Sequence, residues 1–166
     1  MKKTIIILSI IISILVVNKE SKVVIPKESI RFRVVANSNS EEDQSLKKEI
    51  IHNLKNNLID NNPQNIVEER KYLKKQLPEF TKIVDKTISS HKKSNKFTIN
   101  YGKNYFPEKK YKNIVYKEGD YESLVITLGN GTGDNFWCVL FPPLCLIDED
   151  ANEYPSIIQE IINKYF

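Results

Sequence analysis

The stretch GNGTGDNFWCVLFPPLC, from Gly129 to Cys145, decides how the second half of this chain folds. It holds three alternating glycines, the only tryptophan, both cysteines and a Pro-Pro pair. Gly129, Gly131 and Gly133 precede a second strand pattern and not a helix. A dinucleotide loop needs a helix N-terminus for its phosphates. The glycines therefore predict a turn that requires positive φ angles.

A β-strand is predicted after this turn, from Phe136 to Phe141. Its alternating side chains are apolar on both faces, so we expect a strand that is central in its sheet or covered by a partner. The bulky residues Phe136, Trp137 and Pro142–Leu144 fit two interpretations. They either fill the core or form a protein-contact surface, where Trp is a favoured anchor.

The two cysteines, Cys138 and Cys145, lie seven positions apart. On one regular strand such positions face opposite sides, so the chain must turn between them, and Pro142-Pro143 favours a turn. In an exported protein an even number of cysteines favours a disulfide. Two buried free thiols, or a metal-binding or catalytic role, remain as alternatives.

The N-terminus indicates export. Met1–Lys3 is basic, and Thr4–Val17 is uncharged and rich in Ile, Leu and Val. As a helix this segment spans about 21 Å, which is short for a bilayer core of about 30 Å. The pattern is typical of a signal peptide, although no small-x-small cleavage site follows. Residues 1–20 are thus a signal peptide or a retained anchor, with membrane contact through residues 4–17 if it is not cleaved.

The rest of the chain predicts a linker over residues 21–29 and one exported domain over residues 30–166. Its hydrophobic periodicity indicates an α+β fold, with a largely antiparallel sheet and helices packed on one side. We expect these elements: a strand from Ile30, helices over 41–59, Gln64–Gln76 and from Pro78, strands at Phe97–Tyr101, Asn113–Tyr116 and Leu124–Leu128, and a helix over Ile157–Tyr165.

Charge and composition exclude several function classes. The net charge of +4 is mild and the lysines are interspersed with acids, which does not resemble a nucleic-acid interface. The sequence offers no set of nucleophile, base and orienting group. We therefore predict no catalytic residues, no cofactor and no metal site.

Two longer stretches, together with the N-terminal apolar segment, carry a resemblance to a known family. IRFRVVANSNSEEDQSLK (Ile30–Lys48) and YKEGDYESLVITLGNGTGDNFWCVLFPPLC (Tyr116–Cys145) are similar to the stage II sporulation protein R family of endospore-forming bacteria. The family pattern has ANS-x-S-x-x-DQ-x-LK and G-x-G-x-NWWCV-x-FPPLC. This chain has Phe136 in place of the first tryptophan and an additional Asp134.

This resemblance implies a function in signalling between cell compartments. Family members are exported from the forespore into the space between the forespore and mother-cell membranes. There they activate a membrane-embedded aspartic protease of the mother-cell membrane, which cleaves the sigma-E precursor. The alternatives are an exported cell-envelope binding domain and a hydrolase. The residues of the matching motifs that we expect to contact the protease are Arg31, Arg33, Asn37, Phe136, Trp137, Pro142, Pro143 and Leu144.

Overall fold

A computed structural model describes residues 22–59, 63–91, 96–111, 114–145 and 154–166. The expected signal peptide or anchor over residues 1–20 lies outside these ranges. Among the described helices, none combines the length and the apolar character that a membrane span requires.

The structure has the mixed α+β composition that the sequence predicts. Its strands form two sheets with mostly antiparallel pairing. In chain order the elements are β1 (Val23–Val24), β2 (Ile30–Val35), α1 (Glu41–Ile59), α2 (Ile66–Ser90), β3 (Phe97–Phe106), β4 (Lys109–Tyr111), β5 (Ile114–Tyr116), β6 (Gly119–Leu128), β7 (Asn135–Phe141) and α3 (Tyr154–Tyr165).

The main sheet has the strand order β3-β6-β2-β7. Strand β2 lies between β6, with which it is parallel, and β7, with which it is antiparallel. Arg33 of β2, for example, lies opposite Val125 on one side and Trp137 on the other. A parallel pair needs a crossover connection, and here the chain passes through both long helices between β2 and β6.

Helices α1 and α2 cover one face of the main sheet. Their apolar stripes meet the inward side chains of β2 and β6 in the largest hydrophobic core. Each buried aliphatic or aromatic side chain contributes about 1.5–3 kcal/mol of burial free energy. The fully buried members include Phe32, Val34, Leu46, Ile50, Leu54, Leu73, Phe80, Val84, Leu124 and Ile126.

The opposite face of the main sheet is partly covered by the small sheet β1-β5-β4 and by α3. The sequence predicts a linker over residues 21–29, but Val23 and Ile25 are only 2% and 1% exposed and pack in this second core. The expectation that β7 is central in its sheet is wrong, and the alternative, that a partner covers it, stays a prediction. Strand β7 lies at the end of the strand order, and Val139 on its second face packs against residues of the same chain.

Helix α2 replaces two predicted helices. The sequence suggested a break before Pro78, yet one helix runs from Ile66 to Ser90 with this proline inside. Proline removes one backbone hydrogen bond and disfavours the helix. Leu73 and Phe80, on either side of it, are both fully buried in the main core, and this packing keeps the two halves in one helix.

The exposed Pro78 gives a test of this fold. Pro78→Ala should raise the free energy of unfolding by about 1–3 kcal/mol, because it restores a hydrogen bond and removes the steric clash of the ring. Urea unfolding followed by circular dichroism measures the change. Lys82→Ala, on an exposed position of the same helix, is the control and should differ little from the parent. Equal stability of both variants would contradict a continuous α2.

Candidate partner-binding site

Asn37 joins the two stretches that carry the family resemblance. Its side-chain oxygen Oδ1 accepts a hydrogen bond from the backbone N–H of Asn130, at 3.0 Å. Its backbone carbonyl accepts from the N–H and from the hydroxyl of Thr132, at 3.2 and 2.7 Å. The segment Gly129–Asp134, here called the glycine loop, is therefore held by the residue that follows β2.

Asp43, near the start of α1, holds Asn37 in place. The Asn37 amide Nδ2 donates to Asp43 Oδ2 at 2.8 Å, and the Ser38 hydroxyl donates to the same oxygen at 2.6 Å. The Ser40 hydroxyl accepts from the N–H of Asp43, as expected of a residue that caps a helix N-terminus. Ser40 thus caps α1, whereas Ser38 supports the network around Asn37.

Lys47 ties the far end of the glycine loop to α1. Its ammonium donates to Gln44 Oε1 at 2.6 Å and to the backbone carbonyl of Asp134 at 2.8 Å. Burial lowers the pKa of Lys47, Asp134 raises it, and Lys48 and Lys109 lower it further. The ammonium is thus removed from water and held next to two other cations.

Two glycines allow the loop to approach β2 this closely. Gly129 has a φ of +53°, and a Cβ there would lie 2.1 Å from Asn37 Oδ1. A Cβ at Gly133 would lie 2.2 Å from the backbone oxygen of Ser38. The alternating glycines form a turn, as predicted, and the turn serves contact with the Asn37 segment.

Arg31 lies inside the protein. Its guanidinium stacks 3.3 Å from the Tyr121 ring centroid and 5.3 Å from that of Phe106, in the range of cation–π contacts. It donates to the carbonyl of Lys117 at 3.4 Å, while Nε and Nη1 have no hydrogen-bond partner among the described residues. Burial lowers the pKa of Arg31, with a smaller opposing effect of Tyr121.

Arg33 and Trp137 extend this cluster toward the surface. The Arg33 guanidinium lies 4.7 Å from the Phe106 ring centroid and donates to the carbonyl of Tyr105 at 3.4 Å. The Trp137 ring packs edge to face against the Phe106 ring, with 5.2 Å between the two centroids. The Lys109 ammonium lies 5.2 Å from the centroid of the Trp137 ring. The half-buried Trp137 therefore has one side in the cluster and one side near solvent.

Cys138 and Cys145 form a disulfide, which the export signal and the even cysteine count favoured. The Cα atoms are 5.4 Å apart, because the chain reverses after β7. The carbonyl of Val139 accepts hydrogen bonds from the N–H groups of Leu144 and Cys145, at 3.1 and 3.2 Å. This disulfide loop is therefore fixed to the end of β7 by covalent and hydrogen bonds.

The structure divides the expected contact residues into two groups. Arg31, Pro142 and Leu144 are buried and are not surface residues in this structure. The other five are partly exposed, but Asn37 uses its polar atoms to hold the glycine loop and Arg33 stacks on Phe106. Those five are Arg33, Asn37, Phe136, Trp137 and Pro143.

Sequence reasoning missed Asp43, Lys47 and Lys109. Asp43 and Lys47 belong to the DQ-x-LK part of the motif, so the resemblance was a usable signal for both. Lys109 lies on β4, which the periodicity did not predict, and it reaches Trp137 only through tertiary structure.

Two other grooves on the described surface have a mostly polar lining. His91 lies with Nε2 2.6 Å from Glu49 Oε2, and Ser45 lines the adjoining groove without a hydrogen bond to His91. No group of three or more His, Cys, Asp or Glu residues that could hold a metal ion occurs within the described residues. The described side chains here do not assemble a nucleophile with its base.

A family model described as stage II sporulation protein R (spore_II_R) matches residues 26–151, a range that contains the Asn37 segment, the glycine loop and the disulfide. The chain belongs to this family. The stage II sporulation protein R of Bacillus subtilis (strain 168) is 39% identical over 138 residues. These cover 82% of the present chain but 62% of that relative, so the chain spans less than two thirds of its length.

No solved structure matches the chain. The family is named for a stage of sporulation and not for an enzymatic activity. Both stretches that resemble the family lie inside its matched region, and they contact each other through Asn37 and Lys47. In this family member the motif residues thus form one continuous piece of structure.

Gly133→Ala tests the contact between the glycine loop and Ser38. The new Cβ must displace a backbone atom, so we expect a loss of about 2 kcal/mol in the free energy of unfolding. Urea unfolding measures it. Gly102→Ala is the matched control, since its Cβ meets nothing closer than 3.7 Å. Equal effects of the two substitutions would contradict the close approach.

Arg31 gives a test of the aromatic cluster. Arg31→Ala leaves a cavity and should lower the free energy of unfolding by about 2–4 kcal/mol. Arg31→Met should retain most of the stability, because it fills the space between the rings without buried, unpaired N–H groups. Thermal and urea unfolding of both variants distinguish packing from charge. A methionine variant as unstable as the alanine variant would show that the cation itself holds the rings together.

Proposed function

We propose that this chain is a signalling protein of endospore formation that activates a membrane-embedded aspartic protease, which then cleaves the sigma-E precursor. The observation that carries this proposal is the family match over residues 26–151, which contains both characteristic motifs. The 39% identical relative is named for stage II of sporulation, which supports a role in the same process.

The proposed place of action is the space between the forespore and mother-cell membranes. The basic start and the apolar run over residues 4–17 support export from the forespore. The disulfide fits a compartment outside the cytoplasm. The proposed partner is the protease of the mother-cell membrane, met by the domain that follows residue 21.

An activator must bind the active state of its target more tightly than the inactive state. The surface best suited to this is the clamped face, which we define as the glycine loop with Asn135, Trp137 and Lys109. Its backbone is held by Asn37 and Lys47 before any partner arrives, so little conformational entropy is lost on binding. Trp137 adds a half-exposed aromatic anchor.

Co-expression in a heterologous bacterium tests this proposal. The full chain, the candidate protease and a tagged sigma-E precursor are produced together, with the full chain replaced in one arm by the chain without residues 1–20. We expect shortening of the precursor only with the full chain. Intact precursor beside exported and folded full chain would refute activation.

Trp137→Ala tests the clamped face in the same system. We expect at least a tenfold loss of cleavage, since truncation of a central aromatic anchor removes about 2 kcal/mol or more of binding free energy. Val67→Ala, 65% exposed on α2 and outside the clamped face, is the control and should cleave as the parent does. Protein level is measured in parallel. A loss of cleavage that follows a loss of level would assign Trp137 to folding alone.

A further inference from the structure

Among the described residues, strand β7 has no neighbouring strand on the side away from β2. Its hydrogen bonds show which of its backbone groups point to that side. The Val139 carbonyl points away from β2, because it accepts from Leu144 and Cys145 of the disulfide loop. In an antiparallel strand the N–H and C=O of one residue point to the same side, and successive residues alternate. Asn135 and Trp137 therefore also direct their backbone groups away from β2.

The outward groups of Asn135 and Trp137 are not used by the part of the chain that the structure describes. No described strand lies beyond β7, and neither residue makes a backbone hydrogen bond on that side to another described residue. The edge is short. At one end, the Val139 carbonyl already accepts hydrogen bonds from the disulfide loop. At the other end, the Asp134 carbonyl already accepts one from Lys47. About three residues, or roughly 10 Å of extended chain, fit this opening.

A groove of about 420 Å³ runs beside this opening. Trp137 and Pro107 form its apolar wall, and its polar lining consists of Asn135, Lys109 and the two acidic residues Glu108 and Asp134. A strand added to an edge gains affinity from main-chain hydrogen bonds and specificity from pockets for alternate side chains. The groove with the Trp137 ring provides such a pocket next to the free backbone groups.

The charge of Lys109 favours an acidic side chain beside it. Lys48 and Lys109 both lie near enough to Lys47 to lower its pKa, and Asp134, which also lines the groove, raises it. Lys109 forms no ion pair with an acid among the described residues, whereas the neighbouring Glu108 is paired with Lys110 at 2.9 Å. A carboxylate beside Lys109 would reduce the repulsion among these cations.

We propose that the β7 edge at Asn135–Trp137 accepts a short extended segment of the partner as an additional strand, with an acidic side chain beside Lys109 and an apolar one against Trp137. The identity of the partner rests on the proposed function, since the segment would belong to the protease that this chain activates. Three observations support this proposal: the outward backbone groups of β7, the groove beside them, and Lys109, which has no ion pair among the described residues.

Asn135→Pro tests the added strand in the co-expression assay. Proline removes the outward N–H, and pairing with β2 does not use that group, as is usual for proline on sheet edges. We expect cleavage to fall about tenfold, the loss of one backbone hydrogen bond in a dry contact. Asn135→Val removes the same side chain but keeps the N–H, so it is the matched control, and its cleavage should exceed that of Asn135→Pro about tenfold. Equal cleavage by both variants, with the parent active, would overturn the edge site and leave the proposed function standing.

A direct measurement of peptide binding tests the edge site in the case where the parent chain itself gives no cleavage. The probe is a blocked peptide of alternating Val and Asp, added at millimolar concentration to the ¹⁵N-labelled full chain in detergent micelles. We expect shifts of the Asn135 and Trp137 amide signals, absent with a peptide N-methylated on alternate residues, which cannot form the ladder. The proposed function would then fail while the edge site stands. No shift at either amide would overturn the edge site as well.

Discussion

The bonds of Asn37 connect the two halves of this domain. The residue follows β2, receives the glycine loop on its oxygens and is oriented by Asp43 of α1. The loop in turn sets where β7 begins, and β7 carries Trp137 and the first cysteine of the disulfide. The position of the candidate surface thus depends on one amide side chain and on a glycine that lets it approach.

The buried Arg31 shows why sequence patterns predicted this fold only in part. The arginines of IRFRVV alternate with apolar residues, which is typical of a strand with one face in solvent. In the structure, Phe106 and Tyr121 cover the side chain of Arg31 from distant strands. Helix α1 has the predicted limits, because its periodicity is local. Pro78 suggested a break that burial of the flanking side chains overrides. Long-range contacts, which no local period encodes, account for both differences.

The candidate surface, like the fold, could be predicted from the sequence only in part. Motif resemblance identified the segments that meet, yet several of the residues it singled out serve the fold and not the exterior. Arg31 stacks inside, Leu144 fills the second core and Asn37 holds the glycine loop. Trp137 and Lys109 remain near solvent, and the small sheet brings them together. The strands of that sheet are short and lack a clear periodicity, so the sequence did not predict this contact. In this chain, the motif residues thus mainly hold the candidate surface in its shape.

The strand order has a consequence for the export proposed for this chain. Strand β2 comes near the start of the domain, but both of its neighbours, β6 and β7, come about 90 to 110 residues later. A chain that emerges from a membrane N-terminus first cannot complete its central sheet until residue 141 has passed. In the proposed export, the earlier part would pass without its final sheet contacts, and the last folding step would take place on the side where the chain arrives.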